Sequence, residues 1–281
     1  MRKFKISDRV ARRMRGLDEL PPEEKKEETA AAAPENRTER TLRTTGRTDV
    51  GLVRKNNQDA VILSQGLIGI ADGMGGHRGG ETASAGARDG LIRVLTGKEP
   101  SLQTLEDAVK EVNLELWNRQ EQEESLSGMG TTLSVIWPEE EKMLIAHVGD
   151  SRVYLMRDGQ LRQVTQDHSM VADMVRRGLL TEEQAATHPM RNYITRAVGT
   201  EPTVEVDTLA VERQRGDRWL VCSDGLHGLV AQEKLQSLMA LDDMEEAADQ
   251  MIREALDRGG RDNVSLVLAW DEAEKGGEVS E

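Results

Sequence analysis

Four aspartates stand at the ends of apolar runs in this chain: Asp72, Asp150, Asp224 and Asp262. The first three each have a glycine as an immediate neighbour, which is typical of a tight turn. A rigid strand fixes the position of the residue at its tip. Several carboxylates meeting in one cleft would repel one another unless cations lay between them. Hard oxygen ligands of this kind favour Mg²⁺ or Mn²⁺ over Zn²⁺.

The glycine-rich turn that follows Asp72 is the strongest of these candidates. Asp72 closes an apolar run and opens Gly73-Met74-Gly75-Gly76. Glycines let the backbone turn sharply and bring a carbonyl oxygen towards a cation. Asp72 could therefore bridge two metal ions, with the Gly73 carbonyl as a further ligand. The alternative is a helix entry that binds a phosphate through its N–H groups.

An arginine and an aspartate lie five residues apart across a second turn, at Arg54 and Asp59. An arginine fork can grip a phosphate dianion through two parallel hydrogen bonds. Asp59 could bind a metal directly or hold a water on it. A surface salt bridge is the alternative for this pair, and a structural turn is the alternative for each of the other aspartates taken alone.

The overall composition excludes several classes of protein. The net charge of −14 argues against a nucleic-acid surface, which needs a basic stripe. No apolar run approaches the length of about 20 residues that spans a membrane. The single cysteine, Cys222, excludes an internal disulfide and fits a reducing cytosol. We therefore expect a cytoplasmic protein in which Cys222 is a small buried residue rather than a nucleophile.

The pattern divides the chain into a tail, a domain and a short C-terminal tail. Residues 1–16 carry seven Lys or Arg against one Asp, and the stretch after them reads as an acidic and Pro/Ala-rich linker. We expect residues 1–43 to form this tail and linker, 44–271 to form the domain, and 272–281 to form a C-terminal tail. The basic segment is either a solvated tail or an amphipathic helix that holds a partner or an anionic surface.

Short β-like runs and helix signals alternate through the domain without a strict βαβ order. A hairpin turn is predicted at Arg157-Asp158-Gly159-Gln160, and helix starts are predicted at Ser101 and at Asp242-Asp243-Met244-Glu245. This order predicts an α+β fold of antiparallel sheets covered by helices. Residues 166–200 carry helix signals and no strand. The predicted strands are 44–50, 59–64, 67–71, 131–137, 142–148, 151–157, 218–223 and 263–270.

Six motifs in order resemble the metal-dependent protein phosphatase family, type 2C, in its bacterial form. The resemblance covers about residues 44–271, and the order of the motifs makes it specific. The motifs are Arg54-x-x-Asn57-Gln58-Asp59, Asp72-Gly73-Met74-Gly75-Gly76, Gly128-Met129-Gly130-Thr131-Thr132, Gly149-Asp150-Ser151-Arg152, Ser223-Asp224-Gly225 and Asp262-Asn263.

The resemblance implies a four-layer α-β-β-α sandwich with a cleft between two antiparallel sheets and a flap at about 166–200. It implies two Mn²⁺ or Mg²⁺ ions bridged by Asp72, with Asp224 and Asp262 completing the first site. The Gly73 carbonyl would belong to the second site, which Asp59 would support through water. Asp150, with Asp224, would correspond to a third and weaker metal site.

Two positions depart from the family pattern. Animal members carry a histidine, proposed as general acid, two residues after the first aspartate, and this chain has Met74 there. His77 lies three residues further on and has no assigned role. Gln58 stands where other members carry a glutamate, so that position has no charge.

The expected function is hydrolysis of phosphoserine and phosphothreonine in proteins by a water that bridges the two metals, with Arg54 orienting the phosphate. The expected partners are phosphorylated proteins and a bacterial serine/threonine kinase whose action the enzyme reverses. Two alternatives remain: a phosphoprotein-binding module without catalysis, and a phosphatase of the same fold that acts on small metabolites.

Overall fold

The computed structural model describes residues 41–64, 66–75 and 79–272. Residues 1–40 and 273–281, which contain most of the predicted N-terminal and C-terminal tails, lie outside these ranges, as does His77. No helix in the described ranges is both long enough and apolar enough to cross a bilayer.

The described residues form two sheets in which every paired strand is antiparallel. One sheet has the strand order β1-β11-β10-β7-β8, and the other has the order β2-β3-β5-β6-β9 with β4 paired to β3. The strands are β1 (Thr41–Asp49), β2 (Asp59–Ser64), β3 (Leu67–Met74), β4 (Gly130–Thr131), β5 (Leu133–Pro138), β6 (Lys142–Val148), β7 (Arg152–Arg157), β8 (Gln160–Gln163), β9 (Asp207–Glu212), β10 (Arg218–Cys222) and β11 (Val264–Glu272).

The helices of the described chain fall into three groups. Two long helices follow β3, two short helices lie in the predicted flap, and three helices lie between β10 and β11. They are α1 (Gly79–Leu95), α2 (Leu102–Gln122), α3 (Met170–Arg176), α4 (Glu182–Ala186), α5 (Asp224–His227), α6 (Gln232–Met239) and α7 (Met244–Asp257), with a short 3-10 helix at Glu124–Leu126.

Alternation along the strands separates three apolar cores. In β10, Trp219 and Val221 point into the core between the sheets, whereas Leu220 and Cys222 point into the core under α6 and α7. In β3, Ile70 faces the core between the sheets, and the other sheet face packs on α1 and α2. Successive strand side chains point to opposite faces, so one strand serves two cores. Three cores stacked in this way make four layers, which confirms the predicted α-β-β-α sandwich.

The predicted hairpin turn and the predicted cap at Ser101 both form, whereas α7 is capped by Asp243 and not through a capping box that starts at Asp242. Arg157 pairs with Gln160 across a two-residue turn in which Asp158 and Gly159 both have positive φ. Such a turn matches the twist of the strands that flank it. Ser101 caps α2 by accepting the N–H of Thr104.

Other elements differ from the sequence prediction. The strand β9 was not predicted, because it is an edge strand with only partly buried side chains and therefore lacks a strong apolar alternation. Helix α6 was not predicted either. The first strand begins at Thr41 rather than at residue 44, and Thr41 pairs with Glu272.

Replacing Asp243 with alanine is expected to lower the free energy of unfolding by about 1 kcal/mol. The Asp243 side chain caps α7 by accepting the N–H groups of Glu245 and Glu246. Urea unfolding measures the effect. Asp242→Ala removes the same charge from the exposed neighbour and is the matched control. An equal loss in both variants would mean that charge, and not the cap, is responsible.

Candidate active site

A cleft of about 400 Å³ opens where the two sheets meet at one end of the sandwich. Both sheets contribute to it, and so does the connection from β6 to β7, which crosses from one sheet to the other. The cleft brings together five of the predicted metal-ligating positions and the predicted phosphate ligand, with the sixth, Asp59, next to it. Its lining residues are Arg54, Gln58, Asp72, Gly73, Met74, Gly75, Asp150, Asn192, Ile194, Asp224, Asp262 and Asn263.

Asp59 and Asp72 are direct neighbours across the β2–β3 ladder. Side chains at such paired positions have Cβ atoms about 5 Å apart. Like charges directly opposite each other destabilise a sheet. The pair therefore concentrates negative charge at the sheet end that borders the cleft.

The environment of Asp72 disfavours its charged form. Burial raises the pKa of the Asp72 carboxyl well above its usual range, and the charges of Asp59, Asp224, Asp150 and Asp262 raise it further. Its backbone is fixed by Thr132, whose hydroxyl accepts the Asp72 N–H at 3.0 Å. The backbone geometry thus holds the carboxylate in place against this repulsion.

Asp59 has one satisfied and one unsatisfied oxygen. Ser223 donates its hydroxyl to Oδ2 at 2.9 Å, whereas Oδ1 is buried without a hydrogen-bond partner among the described residues. Burial raises the pKa of Asp59, and the hydroxyl groups of Ser265 and Ser223 oppose that rise. A buried acceptor without a donor is costly. This oxygen is therefore suited to a cation or to a water held on one.

The backbone at Gly73 is closely surrounded. A Cβ on Gly73 would lie 2.1 Å from the Gly80 carbonyl oxygen, and a Cβ on Gly80 would lie 2.8 Å from the Gly73 carbonyl oxygen. Side chains are therefore excluded at both positions. Gly80, in the first turn of α1, was not identified from the sequence, although it keeps the Gly73 carbonyl clear of side-chain atoms.

Asp224 enters the cleft from the other sheet, as the first residue of α5 directly after β10. Burial raises the pKa of its carboxyl to about 8, and the charges of Asp150 and Asp262 contribute in the same direction. The Arg54 charge opposes this rise without cancelling it, so the environment of Asp224 favours the protonated form of its carboxyl.

Among the described residues, Asp262 is the cleft aspartate that forms an ion pair with a cationic side chain. Its Oδ2 lies 2.7 Å from the Arg54 guanidinium, and its Oδ1 accepts the N–H of Asn263. The ion pair links the predicted phosphate ligand to a predicted metal ligand. The guanidinium supplies positive charge at the place where a divalent ion would supply it.

Asn263 holds the Arg54 loop in position and was noted in the sequence only as part of a motif. Its side-chain nitrogen donates to the Val50 and Asn56 carbonyls at 3.0 and 2.9 Å. Its side-chain oxygen accepts the Gln58 N–H at 2.8 Å. One amide therefore fixes both ends of the loop that carries Arg54.

Asp150 is buried in the β6–β7 connection, directly after Gly149, whose φ is +110°. Burial, with a further contribution from the charge of Asp167, raises the pKa of Asp150 to about 6. The Asp150 carbonyl lies 3.0 Å from Nε2 of His227. The structure thus brings Asp150 to the same cleft as Asp224.

The start of the predicted flap is tied to this turn by two hydrogen bonds. The Gly149 N–H donates to Nδ1 of His168 at 3.0 Å, and the His168 N–H donates to the Gly149 carbonyl at 2.8 Å. His168 is buried, and its Nε2 lies 3.1 Å from Asp207. His168 therefore has a structural environment, and its connection to the Asp150 turn had no signal in the sequence.

Further along the flap, Asn192 and Ile194 line the cleft. Arg152 and Asp167 form a bidentate ion pair at the flap's base, with contacts of 2.7 to 3.1 Å. The flap is therefore anchored at its start and reaches the cleft near its end.

The remaining candidates have structural environments. Cys222 is fully buried, and burial raises the pKa of its thiol to about 12. His147 is buried between Ser134 and the Gln166 carbonyl. Met74 lines the cleft, and Gln58 reaches the Gly75 carbonyl at 3.5 Å. The predicted buried position of Cys222 is confirmed.

The chemistry of these residues fits divalent cations. The oxygen-only donors, the raised carboxyl pKa values and the unpartnered Asp59 oxygen all favour the entry of positive charge. No three acidic, histidine or cysteine side chains of the described ranges are arranged to chelate one ion together. Mg²⁺ is commonly held by one or two carboxylates and several waters, so it does not need such a triad.

Comparison with known protein families identifies the family of this chain. A family model described as protein phosphatase 2C matches residues 51–268. The chain belongs to the protein phosphatase 2C family. The matched range contains all the aspartates described above.

Relatives and solved structures agree with this assignment. The serine/threonine protein phosphatase PstP of Mycobacterium tuberculosis is 42% identical over 231 residues, which cover 81% of this chain and 45% of that protein. The chain thus spans about half the length of that relative. The serine/threonine phosphatase stp of Listeria monocytogenes is 38% identical and covers 83% of this chain and 98% of its own length. A structure of the PstP catalytic domain in complex with two manganese ions has a TM-score of 0.77 and 39% identity, and covers 83% of this chain and 99% of that one.

The raised carboxyl pKa values predict an unusual pH dependence of stability in metal-free protein. The folded pKa of Asp224 lies above its unfolded value, so the folded state binds more protons and stability is lost as pH rises from about 4 to about 8. Asp224→Asn is therefore expected to melt at a higher temperature than the original chain at pH 8.5 in chelator, with a difference that shrinks towards pH 4.

Thermal melts of both proteins across this pH range measure the difference. Asp242→Asn, which alters an exposed aspartate, is the control and should show little pH-dependent gain. A difference for Asp224→Asn that stayed constant between pH 4 and pH 8.5 would contradict the electrostatic explanation.

Proposed function

We propose that this chain hydrolyses phosphoserine and phosphothreonine in proteins with the help of two bound Mn²⁺ or Mg²⁺ ions. The observation that carries the proposal is the convergence of Asp72, Asp224 and Asp262 from two sheets on one cleft that also contains Arg54. Relatives named serine/threonine phosphatases support the reaction class, and the manganese-bound PstP domain supports the cofactor.

The metals would be held by residues that now repel one another. Asp72 is central to the set and would bridge the two ions, with Asp224 and Asp262 at the first and the Gly73 carbonyl at the second. Asp59 would hold a water on the second ion through its unpartnered oxygen. Asp150, beside Asp224, would serve a third and weaker site. When bound, such ions activate a water as nucleophile and neutralise charge on the phosphoryl oxygens.

Arg54 would change partners as the site fills. In the structure it is paired with Asp262, and its side chain is about half exposed at 51%. If Asp262 served as a metal ligand, its negative charge would be neutralised and its attraction for the Arg54 guanidinium would be weaker. The guanidinium, at the mouth of the cleft, would then be available to bind two phosphate oxygens and orient the substrate. Asn263 keeps the loop in place during this exchange.

A covalent route through a thiol is disfavoured by the environment of the only cysteine. Cys222 is buried in the core under α6 and α7, and burial raises the pKa of its thiol to about 12. The thiolate is the nucleophilic form. Direct attack by water, without a phosphorylated enzyme, fits the side chains of this cleft.

The proposed substrates are phosphorylated proteins, and the proposed opposing enzyme is the serine/threonine kinase that phosphorylates them. The proposed location is the cytoplasm. The relatives' names support a protein substrate. The test is turnover of a phosphothreonine peptide, a phosphotyrosine peptide and small phosphorylated metabolites, each with Mn²⁺. Preference for the phosphothreonine peptide supports the proposal. Faster turnover of the metabolites would assign the enzyme to small substrates, and peptide binding without turnover of any substrate would assign a binding module.

Asp72→Asn is expected to lower kcat on an aryl phosphate by at least about 100-fold at saturating Mn²⁺, since the loss of the bridging charge weakens both metal sites. A chelator should abolish turnover by the unaltered chain. Steady-state kinetics and calorimetric Mn²⁺ titration measure both effects. Asp242→Asn is the charge-matched control. Near-normal turnover by Asp72→Asn would show that Asp72 does not bridge the ions.

Arg54→Ala is expected to raise KM for an aryl phosphate by about tenfold with a smaller change in kcat, because a contact made equally in the ground and transition states affects binding alone. Arg54→Lys keeps the positive charge but cannot make two parallel hydrogen bonds, so its KM should lie between those of the unaltered chain and Arg54→Ala. Arg88→Ala, on the exposed face of α1, is the control. A large fall in kcat at constant KM would instead assign Arg54 to transition-state stabilisation.

A further inference from the structure

Exposed apolar side chains are concentrated beside the cleft. Among the described residues, seven large apolar side chains are exposed; of the four most exposed, Val53 and Tyr193 are sequence neighbours of cleft-lining residues, and Leu52 precedes Val53. These three are Leu52, Val53 and Tyr193, with exposed fractions of 67%, 66% and 61%. We call them the apolar rim. Single exposed apolar residues are ordinary, but a concentration at one site indicates a binding surface.

Two members of the apolar rim lie on the Arg54 loop. Val53 immediately precedes Arg54, which lines the cleft. Leu52 donates its N–H to the Gly260 carbonyl at 2.7 Å, two residues before Asp262. The third member, Tyr193, lies between Asn192 and Ile194, which both line the cleft from the flap. The rim thus adjoins the cleft on its loop side and on its flap side.

The fold does not need the rim side chains on the loop. The loop is held by backbone contacts, which are the Leu52 N–H bond to Gly260 and the Asn263 amide bonds to Val50, Asn56 and Gln58. These bonds would form with polar side chains at positions 52 and 53. The Leu52 side chain lies beside Gly260, but most of its surface and most of the Val53 side chain remain exposed, and removal of this apolar surface from water would be favourable.

We propose that the apolar rim binds the aliphatic side chains that flank the phosphorylated residue of a protein substrate. This inference rests on the proposed function, and it specifies which residues the cleft prefers on either side of the phosphorylated residue. An extended peptide advances about 3.4 Å per residue, so the neighbour of a residue whose phosphate lies at Arg54 reaches Val53. Arg54 and the exposed Lys55 supply positive charge beside this apolar surface. The surface therefore matches an anionic residue with apolar neighbours.

The test compares two phosphothreonine peptides that are identical except for the residues on both sides of the phosphothreonine, which are leucine in one and serine in the other. The unaltered enzyme is expected to have a kcat/KM about tenfold higher for the leucine peptide, which corresponds to about 1.4 kcal/mol. The double variant Leu52→Ser/Val53→Ser should bring the ratio close to one. A ratio cancels any loss of catalytic power that affects both peptides equally.

Two further variants separate the rim from general effects. Leu114→Ser removes an exposed leucine from α2 and should keep the tenfold ratio. Val53→Thr keeps the shape of the side chain and replaces a methyl group with a hydroxyl, so it should lower the ratio without disturbing the loop. A preserved ratio in the double variant would overturn the proposal.

The remaining outcomes distinguish the rim from the proposed function. Equal turnover of both peptides by the unaltered enzyme would overturn the rim proposal alone. Turnover of neither peptide, with an aryl phosphate still hydrolysed, would overturn the protein substrate and the rim together. Light scattering that shows a dimer lost in the double variant, with an unchanged peptide ratio, would assign the surface to a second copy of the chain and overturn the proposal.

Discussion

Mutual repulsion of carboxylates between two rigid sheets is the constraint on which this molecule depends. Asp72 projects from one sheet and Asp224 follows a strand of the other, and the charge of Asp224 raises the pKa of the Asp72 carboxyl. The three apolar cores prevent the sheets from moving apart to relieve this repulsion. Only protons or cations can relieve it. Folding thus builds a site whose energy is lowered by the ions that a phosphate reaction needs, at some cost to the metal-free protein.

Around the cleft, glycines and backbone hydrogen bonds fix the positions of the loops, and charged side chains supply the groups that could bind ions or phosphate. Gly73 and Gly80 exclude side-chain atoms where a carbonyl must stay accessible. Asn263 fixes the Arg54 loop through backbone groups of Val50, Asn56 and Gln58, so this support does not depend on which side chains the loop carries at other positions. Arg54, which lines the cleft, is paired with a carboxylate that a bound cation would also attract. Positioning is therefore separate from chemistry in this site, and a change in one need not disturb the other.

The sequence predicted what local patterns encode. The aspartates were visible because each ends an apolar run, and the hairpin at Asp158 and Gly159 was visible because two positive-φ positions need such residues. The roles of Gly80, Asn263 and His168 depend on partners that the fold brings close from distant parts of the chain. No local pattern encodes such a contact. Strand β9 was not predicted for a different reason: an edge strand needs little alternation of apolar and polar residues.

The paired hydrogen bonds between Gly149 and His168 have a thermodynamic consequence. They make the start of the flap and the turn that carries Asp150 parts of one unit, since neither can shift without breaking both bonds or carrying the other along. Coupling between two binding sites is reciprocal. If a cation binds at Asp150 as proposed, a substrate that contacts the flap would change the affinity of that cation, and the cation would change the affinity of the substrate by the same factor. The affinity of a weakly bound ion at Asp150 would then depend on whether substrate is bound at the flap.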